Sequence, residues 1–498
     1  MKILQTTALL VSKFYQRRFN LWEKQAVRLQ KRTFRTLIKK GQKTAFGKAH
    51  NFDKIKNYED FKKNVPLRSY EDFKPYIDRL KGGEQAVLWP NKTIYFAKTS
   101  GTTSGAKYIP ITKDSIKNHI NATRLALLMY IAKTKRTGFL DGKLMFISGS
   151  PRLNKENNFL CGRLSGIVNH HIPGFLQRKQ LPGYETNCIP VWEEKVSAIT
   201  EETHNENLTL IGGIPPWVEM YFETLLKKTK KNNVAEVFKN LSLFVHGGVS
   251  FTPYKERFKK IIGKDIDLLE TYPASEGFIA FQDCFPSEGL TLIPDMGIFF
   301  EFIPADDFGK KNAKRISLAD VETDVNYVVI INSNAGLWGY NIEDTVSFLS
   351  KNPYRLVVSG RIKQFISAFG EHVIAEEVEG AINEACKKTG TEVLEFTVAP
   401  LTDNADGLPC HEWFIAFNKE PESLESFGKI LDDYMQSKNP YYNDLVEGKI
   451  LQPLIIKKVQ KNAFIEYMKS IGKLGEQNKV PHLKNNRSTA DALTDFII

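Results

Sequence analysis

At 498 residues the chain exceeds one typical hydrophobic core, so two or more domains are expected. Apolar residues make up 42% and charged residues 25%, the globular range, which excludes a disordered chain. The net charge of +12 is uneven: residues 1–43 hold twelve Lys/Arg and one Glu, while the remainder holds 57 basic and 56 acidic residues.

No apolar run approaches the ~18 residues of a membrane span. The N-terminal "MKILQTTALLVSKF" lacks a small-residue cleavage site, so no signal peptide is read. Five widely spaced cysteines, an odd count without a CxxC pair, argue against a disulfide framework or a thiolate metal site and fit a reducing cytoplasm. His170 and His171 are adjacent, poor geometry for a shared metal, and are read as non-ligands.

Along the chain, "SKFYQRRFNLWEKQAVRLQKRTFRTLIKK" reads as helix, with Phe14, Trp22, Phe34, Leu37 and Ile38 among its apolar positions. Two readings of its charge are open: a membrane-surface or nucleic-acid contact, or a helix laid across the main domain with a solvated basic face. The second is preferred, since no nucleic-acid-binding motif accompanies the charge. Helical texture continues to about residue 80, with residues 65–80 as a loop feeding a helix. "TIYFAKTSGTTSGAKYIPIT" reads as strand, glycine loop, strand. A helix over 113–134 follows, then a buried strand at 143–151.

Residues 208–231 read as a strand, a Gly-Gly/Pro-Pro turn and a helix with proline near its start. "LSLFVHGGVSF" is a strand ending in a Gly-Gly turn, and "DIDLLETYPASEG" a strand breaking into a polar loop. Strands alternating with helices predict a mainly parallel α/β sheet, with ligands collecting past the carboxyl ends of its strands. From about residue 290 short strands and turns predict antiparallel structure, a small β-barrel-like part. A domain boundary is placed near Gly360, dividing 1–360 from 361–498, and the second part reads as α+β.

Four stretches carry chemistry. In the first, Ser100, Gly101, Thr102, Thr103, Ser104, Gly105 and Lys107 combine flexible backbone, neutral donors and a cation, the needs of a phosphate cradle. The spacing G-x-x-x-G-x-K departs from the P-loop, and a polar hairpin loop is the plain alternative. In "TYPASEG", Tyr272 could stack on a base, Ser275 donate to phosphate and Glu276 hold Mg²⁺; a strand-end turn is the alternative. In "GYNIEDTVSF", Asp344 could accept both hydroxyls of a ribose, or simply cap its turn. "SGRIKQFISAFGEHV" supplies Arg361 and a turn at Gly370 before a helix.

In this order the four resemble the adenylate-forming enzymes, which include acyl-CoA ligases, luciferases and peptide-synthetase adenylation domains. More narrowly, "TSGTTSGAKYIPIT", "TYPASEG", "YNIEDTVSF" and "TAFGKAHNFDKIKNYEDFKKNVPLRSYEDFKPYI" look like the auxin-responsive Gretchen Hagen family of acyl acid amido synthetases. The resemblance runs from about Thr44 to "GEQNKVP", similar to the family's Gly-Gln-x-Lys-x-Pro motif, and singles out Lys479. The third motif departs from the family's Tyr-Arg-x-Gly-Asp: Asn341 stands for the arginine and Glu343 for the glycine. His372 stands where the family often has lysine.

The resemblance implies a large adenylation domain (1–360) binding ATP and an acid, and a small mobile lid (361–498). It implies ATP-dependent activation of a carboxylic acid to acyl-AMP with release of pyrophosphate, then transfer to an amine, an amino acid by expectation. Ser100 to Lys107 would hold the outer phosphates, Glu276 would position Mg²⁺, and Lys479 would neutralise the α-phosphate and carboxylate. Tyr272 would pack on adenine and Asp344 would take the ribose. The acyl pocket would draw on the helix carrying His119, Arg124 and Met129 and on residues 212–217; an exposed surface arginine is the alternative for Arg124. Two other readings stay open: thioester formation on coenzyme A, and a non-catalytic adaptor binding anionic surfaces through residues 1–43.

Overall fold

The computed structural model describes residues 2–498 apart from 101–105, 157–158, 249–250, 252–253, 286–288, 311–312, 363–364, 367–372, 402–407, 449–450, 476–478 and 485. The chain forms two compact units, Met1–Ile342 with Val346–Val357, and Glu343–Thr345 with Val358–Ile498.

The first unit opens with the helix Lys2–Gly41, whose backbone leaves helical values at Gln25. Phe19, Trp22, Phe34, Leu37 and Ile38 are buried, so the helix is laid across the unit. Phe14, read with the apolar positions, is instead exposed. Gln30 fixes the placement: its amide nitrogen donates to the carbonyls of Pro294 (2.7 Å) and Ile298 (2.9 Å), and its oxygen accepts from the Phe300 N–H (2.8 Å).

The large sheet has twelve strands. Asp267–Ala274, Leu243–Gly247, Leu208–Gly213, Lys143–Ile147 and Gln180–Leu181 form its parallel run in that spatial order. Leu208–Gly213 is buried along almost its whole length, as a strand covered on both faces must be. The helix Pro215–Thr229 starts on proline, whose missing N–H costs nothing in a first turn.

The strands between 290 and 361 continue this same sheet, where the sequence suggested a separate barrel-like part. The hairpin of Asp267–Ala274 with Gly277–Phe281 makes the turnover: it reverses direction once and hands an antiparallel edge to Leu290–Leu292. A smaller sheet pairs Ala106–Thr112, Thr93–Ser100, Phe159–Gly162 and Asn154–Glu156.

One buried charge network orders the antiparallel half. Glu301 has no exposed surface and takes Arg315 through two bonds (3.1 and 2.7 Å). Tyr58 (2.8 Å) and Asn332 (2.7 Å) also donate to its carboxylate. Asn332 in turn accepts from the N–H of Gly339 (2.7 Å), immediately ahead of the strand Tyr340–Lys351. A buried carboxylate persists only with its oxygens satisfied, and here three side chains do so.

The second unit is α+β. Its sheet orders Glu392–Leu401, Cys410–Lys419 and Ile455–Val459. The helices Ala375–Thr389 and Leu424–Lys438 contribute Val378, Ile382, Phe427 and Leu431 to a core with Phe396, Trp413 and Ile415.

Candidate active site

The glycine loop is carried by paired strands. Thr93–Ser100 and Ala106–Thr112 run antiparallel, with register closing at Ser100 opposite Ala106. Gly101, Thr102, Thr103, Ser104 and Gly105 lie outside the described residues. Lys107 pairs across from Thr99, and its ammonium lies 5.9 Å from the Tyr70 ring. The Tyr70 hydroxyl accepts from the Tyr108 N–H at 2.8 Å, fixing the strand beside the lysine.

The second motif is a hairpin tip, where the sequence suggested a polar loop. Ala274 pairs with Gly277, leaving Ser275 and Glu276 as the two-residue turn. A Cβ on Gly277 would stand 2.3 Å from Ile298 Cδ1, which explains a glycine there. Tyr340 places its hydroxyl 3.5 Å from Glu276 Oε1, at the limit of a hydrogen bond. Tyr272 is 6% exposed within the core cluster, so little of its ring is open to a base.

Asn118 was not anticipated. Its side chain brackets Phe278, accepting from the N–H (2.7 Å) and donating to the carbonyl (3.3 Å), two residues past Glu276. One asparagine in a helical run gives no sequence signal. One residue on, His119 is buried with neither ring nitrogen bonded, and burial lowers its pKa to about 4, so it stays neutral. Arg124 is exposed, bonds Asn121 (2.8 Å) and lies over Tyr15, the surface-arginine alternative.

The third and fourth motifs meet in the second unit. Arg361 Nε lies 2.7 Å from Asp344 Oδ1; the carboxylate is buried and the arginine half exposed. Glu343, standing for the family's glycine, keeps a glycine-like left-handed backbone at φ 69° and accepts from the Ile362 N–H at 2.8 Å. That residue interrupts the alternation of the strand Tyr340–Lys351, so residues 342–346 are buried in succession, and Asp344 lies within the strand and not in the turn the sequence suggested.

Lys479 joins them electrostatically. Desolvation and the Arg361 charge lower its pKa, against the opposing carboxylates of Asp344 and Glu379. Its side chain is exposed, so solvent offsets part of that desolvation. The segment after it is held firmly. Thr397 donates to the Pro481 carbonyl (2.6 Å), and Val398 exchanges backbone bonds with His482 (2.8 Å) and Lys484 (3.1 Å). His482 bridges Glu379 (2.9 Å) and Glu395 (3.0 Å) and stacks 4.3 Å from Phe396. Its carboxylate partners lie about a hundred residues upstream, so no local pattern announced the clamp.

Comparisons with known proteins bear on this arrangement. Family models match in chain order: the GH3 family N-terminal domain over 15–170 and 150–266, the central domain over 290–361 and the C-terminal domain over 376–488. The chain belongs to the GH3 family. It is 23% identical to the indole-3-acetic acid-amido synthetase GH3.3 of Arabidopsis thaliana, across 91% of this chain and 88% of that one. A solved structure of the AtGH3.15 acyl acid amido synthetase in complex with 2,4-DB superposes with a TM-score of 0.80 at 17% identity, over 99% of this chain and 96% of that one. The 2-hydroxyisobutyryl-CoA ligase in its postadenylation state follows at 0.62 and 15%, over 94% and 90%. This GH3 chain thus has the adenylate-forming fold and is an ATP-using ligase, an acyl acid amido synthetase.

Two expectations follow for this GH3 protein. At position 343 glycine should outdo alanine: Glu343→Gly is expected to be more stable than Glu343→Ala by about 1 kcal/mol, the reverse of their usual order, read from urea midpoints. At His482, burial alone would lower the pKa, but the two glutamates outweigh it and raise it to about 10 from 6.5. A raised folded-state pKa contributes stability fully below the unfolded value and loses it as pH climbs through the folded one. The Tm deficit of His482→Gln against the parent should therefore be largest near pH 6 and shrink as pH rises toward 10. A deficit independent of pH would remove the imidazolium from the account.

Proposed function

We propose that this chain condenses a carboxylic acid with the amine of an amino acid through an acyl adenylate, with the residues above in specific roles. The observation that carries the reading is the convergence of Asp344, Arg361 and Lys479 on one electrostatic locus of the second unit.

In the first step the acid's carboxylate attacks the α-phosphorus of ATP, and the bond to pyrophosphate breaks. Both reactants are anions, so positive charge and oriented donors must be in place beforehand. Residues 100–105 with Lys107 hold the outer phosphates, and Ser275 adds a donor. Lys479 neutralises the α-phosphate and the incoming carboxylate. Asp344 accepts from the ribose hydroxyls while Arg361 fixes its orientation, and the open part of the Tyr272 ring meets the adenine.

Mg²⁺ fits Glu276. Among the described residues no three or more His, Cys, Asp or Glu are grouped to hold a metal ion. A carboxylate at a hairpin tip suits an ion that takes one or two carboxylates and fills its shell with phosphate oxygens and water. Bound there, the ion would neutralise phosphate charge during the displacement.

In the second step the neutral amine attacks the acyl carbon, AMP leaves, and the amine's proton is released. A cation that suits an attacking carboxylate has no such task now, so residues 361–498 are proposed to act as a lid that turns between steps, and 1–360 as the adenylation domain. His119, buried and neutral with unbonded ring nitrogens, offers the acid a hydrogen bond. The odd count of five widely spaced cysteines fits a cytoplasmic enzyme. The basic residues 1–43 take no part in this chemistry, and we assign them an anionic surface instead.

The test is Lys479→Ala. Acid-dependent ATP–pyrophosphate exchange is expected to fall by about 100-fold or more, the loss typical of removing one transition-state contact. Transfer from preformed acyl adenylate to the amine should change far less. Exchange at near-parental rate would overturn the role given to Lys479.

A further inference from the structure

The charge of residues 1–43 is left over by the ligase chemistry, and the structure shows how it is displayed. The inner face of Lys2–Gly41 is spent on the first unit through Phe19, Trp22, Phe34 and Leu37. The outer face has its own order. Leu10, Phe14, Arg17, Leu21 and Lys24 ahead of the Gln25 break, and Arg28, Lys31 and Arg35 beyond it, are all exposed and recur within each helical segment at alternating steps of four and three.

Along that stripe the chemistry divides. The first half is mainly apolar, with Leu10, Phe14 and Leu21 at 62, 68 and 55% exposure and Arg17 as its one cation. From Lys24 onward it is basic, and the change falls at the Gln25 break in the helix. Glu23, half-buried, is the only acid within residues 1–43. Single exposed apolar residues are ordinary, but three large ones with one cation among them, followed by four more cations, are not.

We propose that this face docks the enzyme onto an anionic lipid bilayer. Leu10, Phe14 and Leu21 enter the interface between headgroups and acyl chains, and Lys24, Arg28, Lys31 and Arg35 lie along the headgroups. The pairing of apolar and basic groups selects the occupant. A second copy would bring like charge to like charge. A nucleic acid would satisfy the cations and leave the leucines and Phe14 in water, whereas a bilayer satisfies both. No helix among the described residues is long and apolar enough to cross a membrane, so the contact is one of surface.

The full chain is mixed with vesicles of phosphatidylcholine alone or with about 30% phosphatidylserine, at about 0.1 M salt, and sedimented. Binding to the anionic vesicles is expected to be at least about tenfold tighter. Phe14→Ser with Leu21→Ser should weaken it severalfold, and Arg28→Glu with Arg35→Glu should remove the preference, while Tm and pyrophosphate exchange stay at parental values. Equal binding to both vesicles, or none, overturns the proposal. Unchanged binding by the Phe14/Leu21 variant also overturns it and points to a purely electrostatic partner such as nucleic acid or an acidic protein. An elution volume that shifts from oligomer to monomer in that variant overturns it in favour of self-association. Because the readout is lipid binding, it stands or falls independently of the ligase activity.

Discussion

The ion pair between Arg361 and Asp344 is the constraint around which the second unit's chemistry is arranged. A buried carboxylate must find a cation or lose its charge, and the arginine that answers sits at the end of the neighbouring strand. Because Arg361 is half exposed, the pair contributes little net stability; its value lies in direction. It aims the carboxylate, and it sets a positive charge beside Lys479 that favours the lysine's neutral form. The left-handed residue Glu343 within the strand is what delivers Asp344 to this position, since a regular strand would have alternated it with its neighbours.

Around that pair the protein spends rigidity unevenly. The Lys479 segment is tied by backbone bonds to Val398 and by an imidazolium held between two carboxylates. Glu276 is carried at a hairpin tip whose second strand is bracketed by Asn118, and Gly339 is tied to the Glu301–Arg315 network. Glu276 and Lys479, the side chains proposed to act in the two units, stand at a hairpin tip and in a loop, while the bonds that place them lie in sheet or buried network. This is how catalytic groups gain precision without being buried themselves.

Much of this was legible in sequence because it is local. Alternation of β-branched residues, the Gly-Gly turns and the proline at a helix start placed the parallel run of strands. The glycine loop and "TYPASEG" are short stretches whose residue types allow phosphate and metal binding, and the family resemblance singled out the lysine of "GEQNKVP". What was not legible depends on contacts between distant segments. His482 gains its partners from residues 379 and 395. The strands after residue 290 join the main sheet only because Gly277–Phe281 folds back on Asp267–Ala274. Glu343 read as a departure that put its turn in doubt, yet the backbone kept the glycine conformation and accepted the strain. Phe14 read as one of the helix's apolar positions and is exposed, because periodicity marks a helix's faces without saying which of them is covered.

The same logic separates the two charges of this protein. One set of cations is placed singly, each beside a carboxylate or an expected phosphate; the other is a stripe with no acid among it. The central claim concerns the first set. It is tested most directly by supplying the purified chain with ATP, Mg²⁺ and a panel of carboxylic acids, and by following pyrophosphate release and product with either an amino acid or coenzyme A as acceptor. The account predicts pyrophosphate release that depends on the acid and an amide as the product. A thioester formed in place of the amide, or folded protein releasing no pyrophosphate with any acid of the panel, would contradict it.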